Sequence, residues 1–348
     1  MVMGKLALIG GLLRVLGPTW IARATYRGKL DVVDGRAIDP KAKAAGDLVN
    51  MLRDINVMPP LEESRAQLDM MATKFDQPCP ADVITRDITL PGLTGGRAAR
   101  LYVPAGGDPM AGQPTLLYLH GGGWVQGSLT SHHSLCGKLA KQGNLRVISY
   151  DYVLAPEHKF PAASDDILMV YKALLDGTGG LGVQPDSLIV GGDSAGGNLT
   201  AALMHDLSGA GLPLPAGQLL IYPAVDGRMT SRSIQALAQQ PLLPKSRIGW
   251  FLDLYLPEGQ DRQDPRFSPL FSDHLAGQPP ALILAGGHDP LYDDGVSYAA
   301  ALREAGVEVQ LIEYEGQVHA FLSLTKAIPQ GREAIARCAT WLRQRLGT

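Results

Sequence analysis

Ser194 lies in Gly192-Asp193-Ser194-Ala195-Gly196, the one G-x-S-x-G of the chain. An apolar run, Leu188-Ile189-Val190, precedes it, and a helix-forming run, Asn198-Leu199-Thr200-Ala201-Ala202-Leu203-Met204, follows it. A serine between a strand and a helix stands on a very tight turn, and glycines two residues before and after it relieve the crowding. Its hydroxyl is then exposed beside the first helix amides, where the dipole favours nearby negative charge. That context suits nucleophilic attack. The plainer alternative is a glycine-rich turn with an incidental serine.

A second motif, His120-Gly121-Gly122-Gly123-Trp124, closes the apolar run Thr115-Leu116-Leu117-Tyr118-Leu119. Consecutive glycines leave backbone N–H groups free to turn toward one point, as is needed where a carbonyl oxygen becomes negative. Gly121, Gly122, Gly123 and Ala195 are the candidate donors. Taken alone, the loop could simply be flexible. The two motifs together, in this order, predict acyl transfer.

A serine nucleophile needs a base, and the base needs an acid to fix its tautomer. Both are expected after the serine, acid first, past the ends of later strands. Ala281-Leu282-Ile283-Leu284-Ala285 runs into Gly286-Gly287-His288-Asp289-Pro290, which nominates Asp289 as the acid. Val309-Gln310-Leu311-Ile312-Glu313 runs into Gly316-Gln317-Val318-His319, which nominates His319 as the base. The competitors fit less well. His288 leaves no acid at a strand end between itself and Ser194. His274 lies in a loop before a strand, and His205 is too far along the helix after Ser194 to turn back. His132 and His133 adjoin without carboxylates at metal-ligand spacing, which predicts a loop or helix-start role and no metal site. Asp293 and Asp294 read as the acidic first turn of the next helix. Asp193 is read as a support for neighbouring loops. Trp124 either walls the site or packs in the core.

The elements that must position these residues alternate. Predicted strands cover 115–119, 146–150, 187–191, 218–222, 281–285 and 308–313. Predicted helices cover 134–142, 162–175, 195–207, 295–305 and 330–346. Strand–helix alternation of this kind implies a mostly parallel sheet covered on both faces. Two further strands, near 83–90 and 99–103, flank the turn-rich Pro91-Gly92-Leu93-Thr94-Gly95-Gly96. Before residue 80 the pattern is helical and irregular, broken at Pro59-Pro60. Residues 225 to 265 are too long for a simple connection and read as a helical insertion above the sheet.

Composition sets the outer bounds. The chain has 348 residues, 45% apolar and 19% charged, which excludes wholesale disorder. A formal charge of −3 argues against a nucleic-acid binder, which needs a basic face. No run approaches the roughly 20 apolar residues of a membrane span. Cys79, Cys136 and Cys338 form no CxxC pair, so neither a disulfide framework nor a zinc pattern is expected, and a reducing, cytoplasmic setting is the simpler reading. The apolar run Leu6 to Leu13, with Ala22-Arg23-Ala24 after it, has the outline of a secretory signal. Arg14 and Gly10-Gly11 favour a partly amphipathic helix packed on the body instead.

These motifs resemble the hormone-sensitive-lipase family of α/β-hydrolases, in its bacterial esterase branch. The resemblance covers nearly everything after about residue 80. It is carried by His120-Gly121-Gly122-Gly123, Tyr152-Val153-Leu154-Ala155-Pro156-Glu157, Phe160-Pro161-Ala162-Ala163, Gly192-Asp193-Ser194-Ala195-Gly196-Gly197, Asp289-Pro290-Leu291 and His319. It implies a Ser194–His319–Asp289 triad, oxyanion donors that usually include Gly122 and Gly123, and a helical cap. The division expected is 1–75 for an N-terminal cap segment, 76–224 and 266–348 for the α/β-hydrolase core, and 225–265 for the cap insertion. It also implies that a homodimer is possible. Three positions depart from the family pattern: Val153 and Tyr292 stand where Arg is usual, and Ala320 where Gly is usual.

The expected reaction is hydrolysis of short- to medium-chain esters through an acyl-enzyme, with no metal and no organic cofactor. His319 must be neutral to accept a proton, so activity is expected to fall toward acid. Lactone, amide or lipid hydrolysis on the same triad is the alternative, since fold and triad do not separate these. A non-catalytic binding relative is a further alternative that a complete triad disfavours. Polar residues of the insertion, Arg228, Ser231, Arg232, Gln239 and Gln240, argue against a broad apolar lid for a lipid surface.

Overall fold

A computed structural model describes residues 2–107 and 113–348. The central strands are short, mostly apolar runs bounded by glycine, proline or a polar loop, while the first two core strands in chain order are longer and more polar. The core strands are β3 (Val83–Gly92), β4 (Gly95–Pro104), β5 (Thr115–Leu119), β6 (Arg146–Tyr150), β7 (Leu188–Asp193), β8 (Gly217–Ile221), β9 (Ala281–Gly286) and β10 (Val309–Tyr314). A separate two-stranded ribbon joins β1 (Val32–Val33) to β2 (Arg36–Ala37). The eight core strands lie in the order β10-β9-β8-β7-β5-β6-β4-β3. Pairings from β10 to β6 are parallel, and those of β4 with β6 and with β3 are antiparallel. This is the expected α/β-hydrolase architecture.

Strand β5 shows how the sheet builds two cores. Every one of its residues is buried. Leu117 and Leu119 join one apolar cluster, while Leu116 and Tyr118 join the other, because successive side chains point to opposite faces. The first cluster draws on helices α6 (Ala162–Leu175), α7 (Ala195–Gly209) and α9 (Lys245–Tyr255). The second draws on α3 (Pro40–Leu52), α5 (His133–Gly143) and α11 (Gln330–Leu346). Cover on both faces explains why the residues of β5 to β9 are buried and mostly apolar.

The predicted strands recur with their ends moved by a residue or two, apart from β4, which begins four residues earlier. Two differences have local causes. The β3–β4 ladder continues through Pro91↔Gly96 and Gly92↔Gly95, leaving only Leu93-Thr94 as the loop. Pro91 is tolerated because β3 is the edge strand. Helix α10 (Tyr292–Glu304) begins three residues before the predicted start. Its acids do more there than complement a dipole. Asp294 accepts the amides of Val225 and Asp226 at 2.9 and 3.0 Å, and Asp293 accepts that of Ser233 at 2.8 Å.

The N-terminal segment folds as α1 (Val2–Leu16), α2 (Thr19–Thr25), α3 and α4 (Leu61–Phe75). Asp39 caps α3 through the Lys41 and Ala42 amides, with Pro40 in the first turn. Lys41 reaches back to the carbonyls of Arg14, Val15 and Gly17, satisfying the end of α1 and the residue after it. Val15 and Ala22 are buried, so the segment packs on the body. Its other face is apolar and exposed at Leu6, Ile9, Leu13, Leu16 and Trp20. The polar insertion therefore does not represent the whole cap surface. No helix among the described residues is long and apolar enough to cross a membrane.

Between β8 and β9 the chain forms α8 (Arg232–Ala236) and α9. Helices α4 and α9 meet over the glycine loop, where Arg247 donates to Ser64 Oγ at 2.6 Å. Ser64 in turn contacts Gln126 Oε1.

Candidate active site

Ser194 ends β7 and opens α7 with φ +55°, a left-handed conformation that a serine rarely adopts. The turn is tight enough that a Cβ on Gly196 would lie 1.9 Å from the Leu119 carbonyl oxygen, so no side chain fits there. The Ser194 amide is tied to the Ile221 carbonyl at 2.9 Å, which holds the elbow against β8.

The predicted base and acid arrive from the loops after β10 and β9. Ser194 Oγ donates to His319 Nε2 at 2.9 Å. His319 Nδ1 donates to Asp289 Oδ2 at 2.7 Å. The other oxygen of Asp289 accepts the Leu291 amide at 2.9 Å, so the carboxylate is fixed on both sides and fully buried. Tyr222 flanks the imidazole, with ring centroids 4.8 Å apart. The structure thus brings together Ser194, His319 and Asp289, which lie far apart in sequence.

The glycine loop divides into parts with different duties. The Gly121 N–H donates to Asp193 Oδ1 at 2.9 Å. It is therefore spent on the loop itself, which corrects its inclusion among the oxyanion donors. Gly122 and Gly123 have φ +130° and +63°, and their amides have no acceptor among the described residues. Both line the same cavity as Ser194 and Ala195. His120 holds the loop from behind. Its Nδ1 donates to the Gly121 carbonyl at 2.9 Å, and its ring stacks on Tyr152 at 4.3 Å. Complete burial pulls its pKa down to about 3, so the ring is neutral.

Asp193 is the hub. Besides Gly121 it accepts the Tyr118 hydroxyl at 2.8 Å and lies 3.1 Å from His132 Nε2. Burial alone would raise its carboxyl. His132, Tyr118 and the Gly121 amide together outweigh burial and hold it below the usual range. The expected loop-supporting role of Asp193 matches this geometry. The part of His132 in it was not legible, because no carboxylate is near it in sequence and the contact exists only through the pairing of β5 with β7.

Trp124 does both things considered for it. It lines the cavity, and it also stacks on Tyr255 at 4.8 Å while donating to Asn198 Oδ1 at 3.2 Å. The three family departures are accommodated locally. The Val153 amide donates to Asp166 Oδ2 at 2.9 Å. Arg36 lies over the Tyr292 ring at 4.1 Å and donates to the Gly287 carbonyl at 3.2 Å, so an arginine reaches the acid loop from a different strand. Ala320 takes φ +60°, where glycine would be unstrained. His288 is used elsewhere, 2.9 Å from the Arg36 carbonyl.

The cavity over Ser194 has a volume of about 160 Å³ and is walled by Met71 of α4 and by Leu243, Ile248 and Phe251 of the stretch between β8 and β9. One His/Asp cluster among the described residues brings its ligand atoms within 4.8 Å of one another, close enough to share a cation: His205, Asp273 and His274. None of the three lines this cavity.

The arrangement can supply a serine nucleophile with an imidazole base, a buried orienting carboxylate, and two unpartnered amides lining the same cavity. A family described as alpha/beta hydrolase fold matches residues 116–323. An ethyl acetate hydrolase of Pseudomonas putida is 39% identical over 294 residues, 82% of this chain and 90% of that protein. The carboxylic ester hydrolase LipN of Mycobacterium tuberculosis is 37% identical over 315 residues, 88% of this chain and 83% of that protein. The solved structure of an ester-hydrolase from the metagenome of Lake Arreo superposes with a TM-score of 0.85 at 36% identity, covering 89% of this chain and 100% of that one. With its sequence, fold and relatives in agreement, this chain belongs to the α/β-hydrolase fold family, among its hormone-sensitive-lipase-like esterases.

Proposed function

We propose that this protein is a serine carboxylesterase that cleaves short- to medium-chain carboxylic esters through an acyl-enzyme on Ser194. Ser194 Oγ attacks the ester carbonyl as His319 Nε2 takes its proton. Asp289 keeps the ring in the required tautomer and stabilises the imidazolium. The amides of Gly122, Gly123 and Ala195 receive the oxyanion. His319 then protonates the leaving alcohol, and water repeats the sequence to release the acid. The reaction as drawn uses no metal and no organic cofactor.

The observation that carries this reading is the unbroken Ser194–His319–Asp289 relay at 2.9 and 2.7 Å. The small cavity supports short to medium acyl groups, as does the name of the Pseudomonas relative.

The test is a chain-length profile on p-nitrophenyl esters with the wild type and Ser194→Ala. The expected result is turnover of short and medium chains, lowered by ~10⁴-fold or more in the variant with its circular dichroism unchanged. A fluorophosphonate should label the wild type alone. Full activity in the variant would overturn the assignment.

A further inference from the structure

Two arginines without a counter-charge line the cavity over Ser194. Arg53 caps the end of α3, and Arg247 lies on α9; both line the cavity together with Gly122, Gly123 and Ser194. Arg247 is 7% exposed. Its polar contacts are neutral: Ser64 Oγ at 2.6 Å and Gln126 Oε1 at 3.5 Å. Its remaining cover is aromatic, with Trp250 at 5.1 Å and Phe251 at 5.3 Å. The Nε of Arg53 is buried with no hydrogen-bond partner at all. Among the described residues no carboxylate pairs with either group. The one carboxylate on the cavity floor beside the triad, Asp193, is already engaged by Tyr118, Gly121 and His132.

The buried lysines of this chain are treated differently from the buried Arg247 and the half-buried Arg53. Lys138 meets Asp76 at 2.7 Å, and Lys41 is surrounded by helix-end carbonyls. A buried charge without a partner costs several kcal/mol, and two like charges in one cavity add to that cost. Both effects act here. Burial first, and Arg53 second, pull the Arg247 pKa down to about 10, and burial lowers that of Arg53. The groups nevertheless remain protonated at neutral pH. A cavity that keeps two such groups together with Ser194 in its lining is short of one negative charge.

We propose that the missing charge belongs to the substrate: the enzyme selects esters bearing a free carboxylate, which the Arg53–Arg247 pair binds while the ester carbonyl sits at Ser194. This rests on the ester-hydrolase reading and narrows its substrate class. The planar guanidinium fork matches a carboxylate, and the apolar lining from Met71, Leu243, Ile248 and Phe251 makes the surroundings of the pair less polar than water. The same lining suits a methylene linker between the two functional groups.

The test compares kcat/KM on two matched series with untagged enzyme. One is the monoethyl esters of straight-chain dicarboxylic acids, with the anion on the acyl side. The other is the acetate esters of ω-hydroxy acids, with the anion on the alcohol side. Each member is paired with the neutral ester that has a methyl group in place of the carboxylate. The expected result is a chain length, in one series, at which the anionic ester exceeds its neutral partner by about tenfold or more. Arg53→Gln and Arg247→Gln should collapse that ratio toward one, and the Lys variants should restore part of it. Because the readout is a ratio, any general loss of activity cancels, and Arg53→Gln at the helix end serves if Arg247→Gln does not fold. Neutral esters preferred at every length in both series would overturn the proposal, as would a ratio unmoved by both substitutions. If neither kind of ester is turned over, the ester-hydrolase reading itself fails. Calorimetric binding of the same monoesters to Ser194→Ala then decides this one: binding that depends on the two arginines supports it, and no binding sinks it.

Discussion

Asp193 Oδ1 accepts the Gly121 amide at 2.9 Å, so the residue just before the nucleophile holds the first amide of the oxyanion loop. The elbow and the glycine loop come from β7 and β5, which are neighbours in the sheet. This hydrogen bond sets their separation at the point where the reacting carbonyl must fit between them. His120, donating to the Gly121 carbonyl, fixes the next peptide group of the same residue.

Removing the hub should therefore reduce rate and stability together. Asp193→Ala strands the Gly121 amide, the Tyr118 hydroxyl and His132 in a buried site. A loss of roughly 3–5 kcal/mol in stability is expected from breaking a buried pair. A fall in kcat of roughly 10- to 100-fold should accompany it, since a misplaced donor loses part of its stabilisation of the oxyanion. Urea unfolding and steady-state kinetics check both. A variant as stable and fast as the wild type would contradict the assigned role.

Gly122→Ala tests the free amides. Gly122 combines φ +130° with a Cβ position 2.0 Å from the Gln126 carbonyl oxygen, so alanine must push the loop out of place. The expected loss is about 10²–10³ in kcat on a p-nitrophenyl ester, the usual cost of an oxyanion donor. A KM change at constant kcat would instead assign the loop to substrate binding alone.

Asp289→Asn tests the orientation of the base. The amide can keep the Leu291 contact through its oxygen, but it presents an N–H or a weaker acceptor to His319 Nδ1. The result should be a fall in kcat of ~10⁴-fold with the fold retained, because the imidazole then favours the wrong tautomer. Near-normal kcat, measured alongside thermal melting, would exclude Asp289 as the orienting acid.

Asp294 predicts a pH effect on stability. Burial raises its pKa from 3.8 to about 8, against the opposing pull of the Val225 and Asp226 amides. Between those values the native state keeps a proton that the unfolded chain has lost. Stability should therefore fall as pH rises from 4 to 8 and level off above that. Asp294→Asn retains an oxygen for the two amides and has no proton to lose. Its Tm should vary less across this range and exceed that of the wild type by a few degrees at alkaline pH. A wild-type Tm as flat as the variant's would rule this out.

The chemistry was legible in the sequence because it depends on short-range constraints. A serine between a strand and a helix needs small neighbours at fixed offsets, and an amide loop needs consecutive glycines, so both signals are local. Apolar runs located the strands, and the strand ends nominated Asp289 and His319, which the fold brings to Ser194. What the sequence could not contain is which distant groups share a cavity. Tyr118, His132 and Asp193 converge because β5 lies beside β7, and Arg36 reaches Tyr292 from a separate ribbon. The Gly121 amide looked free because its acceptor is 72 residues away. Nothing in the sequence marks Arg53 or Arg247, which come from helices far apart in the chain and meet only in the cavity. Whether a charge has a partner is a property of three-dimensional neighbours and excluded water, and only the tertiary structure decided that.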